Sequence, residues 1–302
     1  MTDNPKAMAR SLRAQLRERG LELTHSECLE IVARQLGHRD WNVLAARTRH
    51  TSLVQVRRNC EWVAMNGERE LGRITAERRP DNRWYVACDT WFDAAHDALV
   101  SSVAKDLAQD LFTTVDEADS DARRRYAAAG FVEERGEDDV TLDVAAARDA
   151  LGDAVLPDRY RIVSAADMDD NALRVLDDTL RADVPGSDGW INDPQEFREY
   201  TFASHFDRDA YLVALGPDGA AGLVRIWAGR PPRRLGLIGV LREHRRRGIA
   251  NALLAAAFTA VATQGITSVV AEVDVANVPS QTLLGRIGAR RTGGTVELRR
   301  PA

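Results

Sequence analysis

The chain has 302 residues, of which 44% are hydrophobic and 29% are charged, and its formal net charge is -5. Its length exceeds that of one usual compact domain, and its composition is that of an ordinary folded protein, so we expect two domains and a small appendage. The acidic balance excludes a general attraction for nucleic acid or anionic lipid, because both require a basic face.

The amino terminus lacks the apolar stretch of a signal peptide, and no segment long enough to span a bilayer is free of charge. We therefore expect a cytoplasmic protein without membrane contact. Cys28, Cys60 and Cys88 are odd in number and widely spaced, which fits neither a disulfide framework nor a paired-cysteine zinc site. We therefore predict that the three cysteines are reduced thiols and that the protein has no metal site.

The first 50 residues predict a small module of three short helices. Gly20 ends the first helix, the segment from Thr24 to Glu27 has the pattern of a capping box, and Gly37 ends the second helix. Acidic residues are interleaved with the basic ones, which disfavours DNA binding by a helix-turn-helix. The string THSECLEIVARQLGHRDWNVLAA resembles a helical segment at the ends of some glyoxalase-superfamily proteins, and this resemblance implies no chemistry.

Residues 60–144 predict a change to alternating strands and helices. CEWVAMNG and ELGRITAE predict a hairpin around Asn66 and Gly67, and RWYVACD predicts a third strand. A helix, a strand, a second helix and a closing hairpin in VEERGEDDVTLDV follow. Residues 159–302 repeat this order. We predict an α/β (α+β) fold with a helical module at 1–50 and two tandem copies at 51–150 and 151–302.

The most informative segment is RLGLIGVLREHRRRGIANALLAAAF, which predicts a strand, a basic turn and a helix that begins at Gly248. Amides in the first turn of a helix lack internal partners and lie at the positive end of its dipole, so a pyrophosphate can accept their hydrogen bonds. Gly248 and Ala250 are small enough for close approach of a ligand. The predicted anion site comprises Arg245, Arg246, Arg247, Gly248, Ile249 and Ala250.

Arg245, Gly248 and Ala250 in RRRGIA resemble the motif R/Q-x-x-G-x-G/A of the GNAT superfamily of N-acetyltransferases. The resemblance implies a GNAT-like central mixed sheet flanked by helices, with acetyl-CoA as co-substrate and its diphosphate at this turn. It also implies that the pantetheine arm pairs with the backbone of Val240 and Leu241, and that the Val240 amide polarises the thioester carbonyl.

The segment NVPSQTLLGRIGA resembles the later family motif N-x-x-A/S-x-x-x-Y-x-x-x-G-F through Asn277, Ser280 and Gly288. The resemblance places Asn277 and Ser280 in the cofactor-binding site. Leu284 stands where the family often has a tyrosine that protonates the leaving thiolate. This departure removes the usual acid from the predicted site.

A general base must remove a proton from the attacking ammonium group, and no acidic residue lies on the strand before the basic turn. Strand alternation places Glu272 and Asp274 on one face of TSVVAEVDV, which makes them the candidate catalytic residues. A solvated strand face gives the same alternation. The sequence leaves these two interpretations open.

The first copy keeps the later motif in DSDARRRYAAAGF, where Asp119 and Tyr126 match it. Its phosphate turn is missing, because Asp89, Asp93 and Asp97 lie where arginine and glycine are expected. Carboxylates repel a pyrophosphate. We therefore predict a degenerate GNAT-like first copy that supports the second one.

These features predict an N-acetyltransferase that uses acetyl-CoA to acetylate a primary amine, and family analogy favours a small molecule as acceptor. Two alternatives stay open, a non-catalytic acyl-CoA-binding regulatory protein and a protein or peptide N-acetyltransferase. A homodimer is also open. Nucleic acid is a disfavoured partner.

Overall fold

The structure is a computed structural model that describes residues 5–47, 53–57, 60–67, 69–90 and 92–302. Within these residues, a helical module precedes one 12-stranded mixed sheet that carries helices on both faces. No helix in the described part of the chain is both long and apolar enough to cross a membrane.

The helical module consists of α1 (Pro5–Glu18), α2 (His25–Gln35) and α3 (Trp41–Arg47). The predicted capping box is confirmed: the Thr24 hydroxyl accepts from the Glu27 amide, and the Glu27 carboxylate accepts from the Thr24 amide at 2.7 Å. Ala9, Cys28 and Val32 are buried against one another and form a core separate from that of the sheet.

The first copy contains β1 (Leu53–Arg57), β2 (Glu61–Asn66), β3 (Arg69–Arg78), β4 (Trp84–Thr90), α4 (Asp93–Leu107), β5 (Leu111–Asp116), α5 (Ser120–Ala128) and β6 (Val132–Asp143). The predicted hairpin of β2 and β3 is confirmed. The predicted closing hairpin is wrong, because β6 is one continuous strand in which Gly136 pairs with Val296 instead of turning the chain. Helix α6 (Val144–Leu151) then leads into the second copy.

The second copy contains β7 (Arg161–Ser164), α7 (Asp170–Arg181), α8 (Pro194–Thr201), β8 (Tyr211–Gly216), β9 (Gly219–Trp227), β10 (Arg233–Val240), α9 (Ile249–Thr263), β11 (Ser268–Asp274), α10 (Val278–Arg286) and β12 (Arg290–Arg300). These elements confirm the predicted order as far as α10. The sequence did not predict β12, in which the ladder is irregular between Arg291 and Gly293.

The two copies exchange their last strands. The order in the sheet is β1-β2-β3-β4-β5-β12-β6-β11-β10-β9-β8-β7. Strand β12 of the second copy therefore pairs with β5 of the first, and β6 of the first copy pairs with β11 of the second. In the latter pair, Asp139 lies opposite Glu272. The exchange places side chains of the first copy beside the predicted site of the second.

Apolar side chains cover both faces of the sheet in the second copy. Helix α9 packs on one face, where Leu253, Phe258 and Val269 are fully buried. Helix α7 packs on the other face, with Leu176 against Leu223 in the same cluster. Full burial of such a side chain stabilises the fold by roughly 1.5–3 kcal/mol. These two layers fix where β10 and β11 lie.

Candidate functional site

Strands β10 and β11 form a V-shaped opening. They are parallel, but they pair only at their beginnings, where Arg233 lies opposite Val269 and Arg234 opposite Val270. The ladder between β10 and β9 is interrupted between Leu235 and Leu237 and then continues to the end of β10. Beyond Arg234, the edge of β10 that faces β11 therefore has no partner strand.

The backbone at the end of β10 points alternately to β9 and into the opening. The Leu241 amide donates to the Ala221 carbonyl at 2.8 Å, and the Leu241 carbonyl accepts from the His244 amide at 2.9 Å. Both backbone groups of Leu241 therefore have partners within the protein, and its pairing with pantetheine stays a prediction that would use the second lone pair of its carbonyl oxygen. Val240 faces the opposite way because of strand alternation, which leaves its amide directed into the opening.

A basic turn connects the opening to α9. Gly248 precedes the helix with φ +80° and makes no side-chain cap, and Arg246 also has a positive φ of 62°. Within the described structure, the consecutive amides of residues 246–251 donate to no protein acceptor. A Cβ on Gly248 would meet no atom within 4 Å. The turn is thus an open concavity of amides at the positive end of a helix dipole.

Asp183 holds the arginine side chains at the start of this turn. The Arg245 Nε donates to the Val240 carbonyl at 2.9 Å, and the Arg245 and Arg242 guanidinium groups both contact the Asp183 carboxylate. Hydrogen bonds from Arg242 and then Arg245 lower the pKa of Asp183 to about 2. Arg245 therefore fixes the end of β10 against the turn, while the backbone amides stay open to a ligand.

The other arginines of the turn differ in their contacts. Arg247 donates to the Tyr160 hydroxyl at 3.2 Å and to the Glu243 carbonyl at 3.1 Å, and the Tyr160 hydroxyl lies 2.8 Å from Nδ1 of His244. In the described part of the chain, the exposed Arg246 side chain contacts no carboxylate. Arg246 is the cation of this turn most available to a bound anion.

Residues of the later motif begin α10 and contribute to its packing. The Asn277 side chain accepts from the Ser280 amide at 3.2 Å and caps α10. Leu284, at the position of the family tyrosine, is buried in the α9-facing core. The sequence placed Asn277 and Ser280 in the cofactor site, and the structure gives them this capping contact with each other.

The predicted carboxylates lie on one face of β11 but have different partners. The Glu272 carboxylate accepts from Arg234 Nε at 2.6 Å and is exposed. The buried Asp274 accepts from Arg135 at 2.8 Å and from the Ala276 amide at 2.7 Å. The Asp274 carboxylate therefore already has partners within the protein, and a catalytic role for it stays a prediction. Glu272 is the one of the pair that solvent and a substrate can reach.

Two residues of β6 at this site were missed by sequence reasoning. Arg135 bridges Asp274 and Glu297, and Asp139 lies opposite Glu272. In the described structure, the Asp139 carboxylate forms no ion pair. Burial raises the pKa of Asp139, and the charge of Glu272 raises it further. No local sequence signal identifies these residues, because the strand exchange alone brings them here.

The first copy has a similar opening between two parallel strands, but the helix that follows it begins with an acidic residue. Strands β4 and β5 pair only at Trp84 with Leu111 and at Tyr85 with Phe112. Helix α4 begins at Asp93, whose carboxylate lies 3.6 Å from Lys6 Nζ of α1. Arg10 of the same helix contacts Asp121 near the start of α5 at 2.7 Å. Helix α1 therefore reaches the beginnings of both helices of the first copy.

Comparison with known families gives two matches. The profile of the Acetyltransferase (GNAT) family matches residues 176–289, which include the opening between β10 and β11, the basic turn and α10. The profile described as Glyoxalase superfamily protein matches residues 1–123, which extend from the helical module into the first copy. No curated protein matches the chain.

Solved structures show the same fold. A GCN5-related N-acetyltransferase from Sphaerobacter thermophilus is 16% identical with a TM-score of 0.61, and the match covers 99% of this chain and 92% of that one. A tandem GNAT protein from the clavulanic acid biosynthesis pathway is 17% identical with a TM-score of 0.60, covering 80% of this chain and 82% of that one. The chain therefore carries a GNAT acetyltransferase domain at residues 176–289, in a tandem GNAT-like fold whose amino-terminal part matches the glyoxalase-superfamily profile.

Proposed function

We propose that the protein transfers an acetyl group from acetyl-CoA to the primary amine of a small molecule, and that the reaction takes place in the opening between β10 and β11. The observation that carries this proposal is the row of unpartnered amides at residues 246–251, which lies directly beside that opening. A diphosphate bound there places the pantetheine arm along the free edge of β10.

The chain's own residues have separate tasks in this reaction. The amides of residues 246–251 and the Arg246 side chain bind the diphosphate, while Asp183 and Arg245 keep the turn in shape. The Val240 amide donates to the thioester carbonyl. The amine nitrogen bonds to the acetyl carbon as the carbon–sulfur bond breaks. CoA leaves as a thiolate and takes a proton from solvent, because Leu284 supplies none.

Glu272 is the proton acceptor that the contacts favour. Asp274 is held by Arg135, whereas Glu272 borders the opening and is exposed. Asp139 faces Glu272 across the β6–β11 pair, and its raised pKa brings it closer to the range in which a general base is effective at neutral pH. The first copy thereby contributes a carboxylate to the second copy's site.

The decisive experiment measures binding and turnover separately. Calorimetry with acetyl-CoA tests the binding site, and release of CoA in the presence of a panel of small amines tests transfer. We expect binding in both the wild type and Glu272→Gln, with CoA release at least about tenfold slower in the variant. A wild type that binds no acetyl-CoA contradicts the proposal.

A regulatory protein that binds acyl-CoA without turnover is the second candidate. The burial of Leu284 at the acid position and the ion pair of Asp274 favour it, because both remove groups that the reaction would use. Acetyl-CoA binding without CoA release on any amine identifies this case. Release on peptides but on no small amine identifies a protein or peptide N-acetyltransferase instead.

A further inference from the structure

The segment that joins α7 to α8 crosses the wide end of the opening between β10 and β11. At its start, the Asp183 carboxylate contacts two arginines of the basic turn that follows β10. Three residues later, Gly186 packs against the side chain of Arg135, which donates to Asp274 at the end of β11. We call residues 183–192 the strap, because they run from the end of one diverging strand to the end of the other.

The strap lies on the face of the sheet that carries the proposed proton acceptor. Ala271 and Val273 of β11 are buried in the core that packs against α9, so Glu272 between them points to the opposite face. Asp274 points the same way as Glu272, and the strap meets Arg135 beside it. An amine that approaches Glu272 from this face therefore has to pass the strap.

The first copy supplies the surface on which the strap rests. Arg135 lies on β6, and the Ile191 amide donates to the Pro80 carbonyl, in the turn between β3 and β4, at 3.4 Å. In the described structure, residues 185–189 form backbone hydrogen bonds only with other residues of the strap. The height of the middle of the strap above the sheet therefore depends on its packing against Arg135.

The Arg135 side chain is held in place by carboxylates from three strands. Its guanidinium group contacts Glu137 on β6 at 2.7 Å, Asp274 on β11 at 2.8 Å and Glu297 on β12 at 3.2 Å. A guanidinium group with three such partners cannot easily give way to a larger side chain in the strap, because its planar fork fixes its orientation. A larger side chain at Gly186 therefore lifts the strap instead.

We propose that Arg135 is a positioning residue for the acceptor site: by supporting the strap, it sets how closely the second copy encloses the amine beside Glu272. This inference rests on the proposed acetyl transfer, since only that reaction places an amine there. It gives the first copy a task in acceptor binding that needs no cofactor site of its own. The affinity for acetyl-CoA does not depend on this contact, because the amides of residues 246–251 lie in the basic turn and not in the strap.

Two glycines of the strap provide a matched pair of variants. Gly186 and Gly189 both have φ +77°, so alanine at either position carries the same left-handed strain. A Cβ on Gly186 would lie 2.4 Å from Arg135 Nε. A Cβ on Gly189 would meet only the Asp81 carbonyl oxygen within 4 Å, at 3.9 Å. The two variants therefore share their backbone strain and differ in the contact with Arg135.

Hydrogen exchange and steady-state kinetics on the full chain test the proposal. We expect the amides of residues 183–192 to exchange roughly tenfold faster in Gly186→Ala than in Gly189→Ala, because an overpacked contact lifts the strap. With an amine that the wild type acetylates, the KM for the amine should also be roughly tenfold higher in Gly186→Ala than in Gly189→Ala. The kcat and the calorimetric Kd for acetyl-CoA should be alike in the two variants, because only the enclosure of the amine changes.

Arg135→Lys shows whether the effect passes through Arg135. A lysine has one ammonium group in place of the guanidinium fork and can move aside, so Gly186→Ala should raise the KM for the amine less in the Arg135→Lys background than in the wild type. An undiminished effect in that background, equal exchange rates in the two glycine variants, or equal KM values for the amine overturn the proposal. A wild type that releases CoA with no amine overturns the proposed transfer instead, and the acceptor role of Arg135 falls with it.

Discussion

The two glycines that flank α9 allow the phosphate site to be tested separately from stability. Gly248 before the helix has φ +80° and Gly265 after it has φ +75°, and at each a Cβ would meet no atom within 4 Å. Alanine at either position is therefore not obstructed, but it must adopt a left-handed conformation that costs roughly 1–2 kcal/mol. Gly248→Ala and Gly265→Ala should lower the free energy of unfolding by similar amounts.

Their effects on acetyl-CoA binding should differ. A methyl group on Gly248 enters the open space beside the unpartnered amides of residues 246–251, whereas Gly265 lies at the opposite end of the helix. Loss of one hydrogen bond to a charged oxygen costs about 1.5–3 kcal/mol, which corresponds to roughly 10- to 100-fold weaker binding. Gly265→Ala should bind acetyl-CoA as the wild type does.

Urea unfolding and calorimetry on the three proteins provide the comparison. Wild-type affinity for acetyl-CoA in Gly248→Ala, or an equal loss of affinity in Gly265→Ala, would refute a diphosphate site at the basic turn. Gly248→Glu extends the series, because its carboxylate would occupy the phosphate position, and we expect no measurable binding.

Three further predictions concern single carboxylates. Asp183 has a pKa of about 2, so its contribution to stability is present above about pH 4 and is lost as the pH falls towards 2. In unfolding experiments across that range, the stability of Asp183→Asn should therefore fall less than that of the wild type. Asp139 has a raised pKa, so its ionisation lowers the stability of the fold as the pH rises. Asp139→Asn should therefore be more stable than the wild type by up to about 1 kcal/mol at pH 7 and equally stable at acid pH in unfolding experiments. An unchanged or reduced stability of this variant at pH 7 would contradict repulsion between the Asp139 and Glu272 carboxylates. Asp93→Ala in the first copy should leave acetyl-CoA binding unchanged by calorimetry. A clear loss of affinity would show that acetyl-CoA binds to the first copy and not to the second.

Local sequence patterns predicted the parts of the site that lie within one segment. The basic turn could be predicted because a strand end, Gly248 and the start of a helix follow each other in the chain. The capping box at Thr24 and the hairpin at Gly67 could be predicted for the same reason. Each of these features depends on hydrogen bonds between residues that are close in sequence.

Pairing between strands that are far apart in the chain could not be predicted, because no local pattern specifies the partner strand. Gly136 is typical of a turn, but in the structure its neighbours are supplied by β12 and by Val275, the residue after β11. The same non-local pairing brings Asp139 to Glu272 and Arg135 to Asp274. Alternation alone therefore could not show that Asp274 pairs with Arg135, since that partner belongs to the other copy.

The exchange of β6 and β12 has a consequence for how the protein must be made. A fragment that ends at residue 150 lacks the strand that covers the edge of β5, and a fragment that begins at 151 lacks the strand that covers the edge of β11. Uncovered edges of this kind promote aggregation. We therefore expect each half to need the other in order to fold, which gives a physical reason for the chain to keep a first copy without a basic turn.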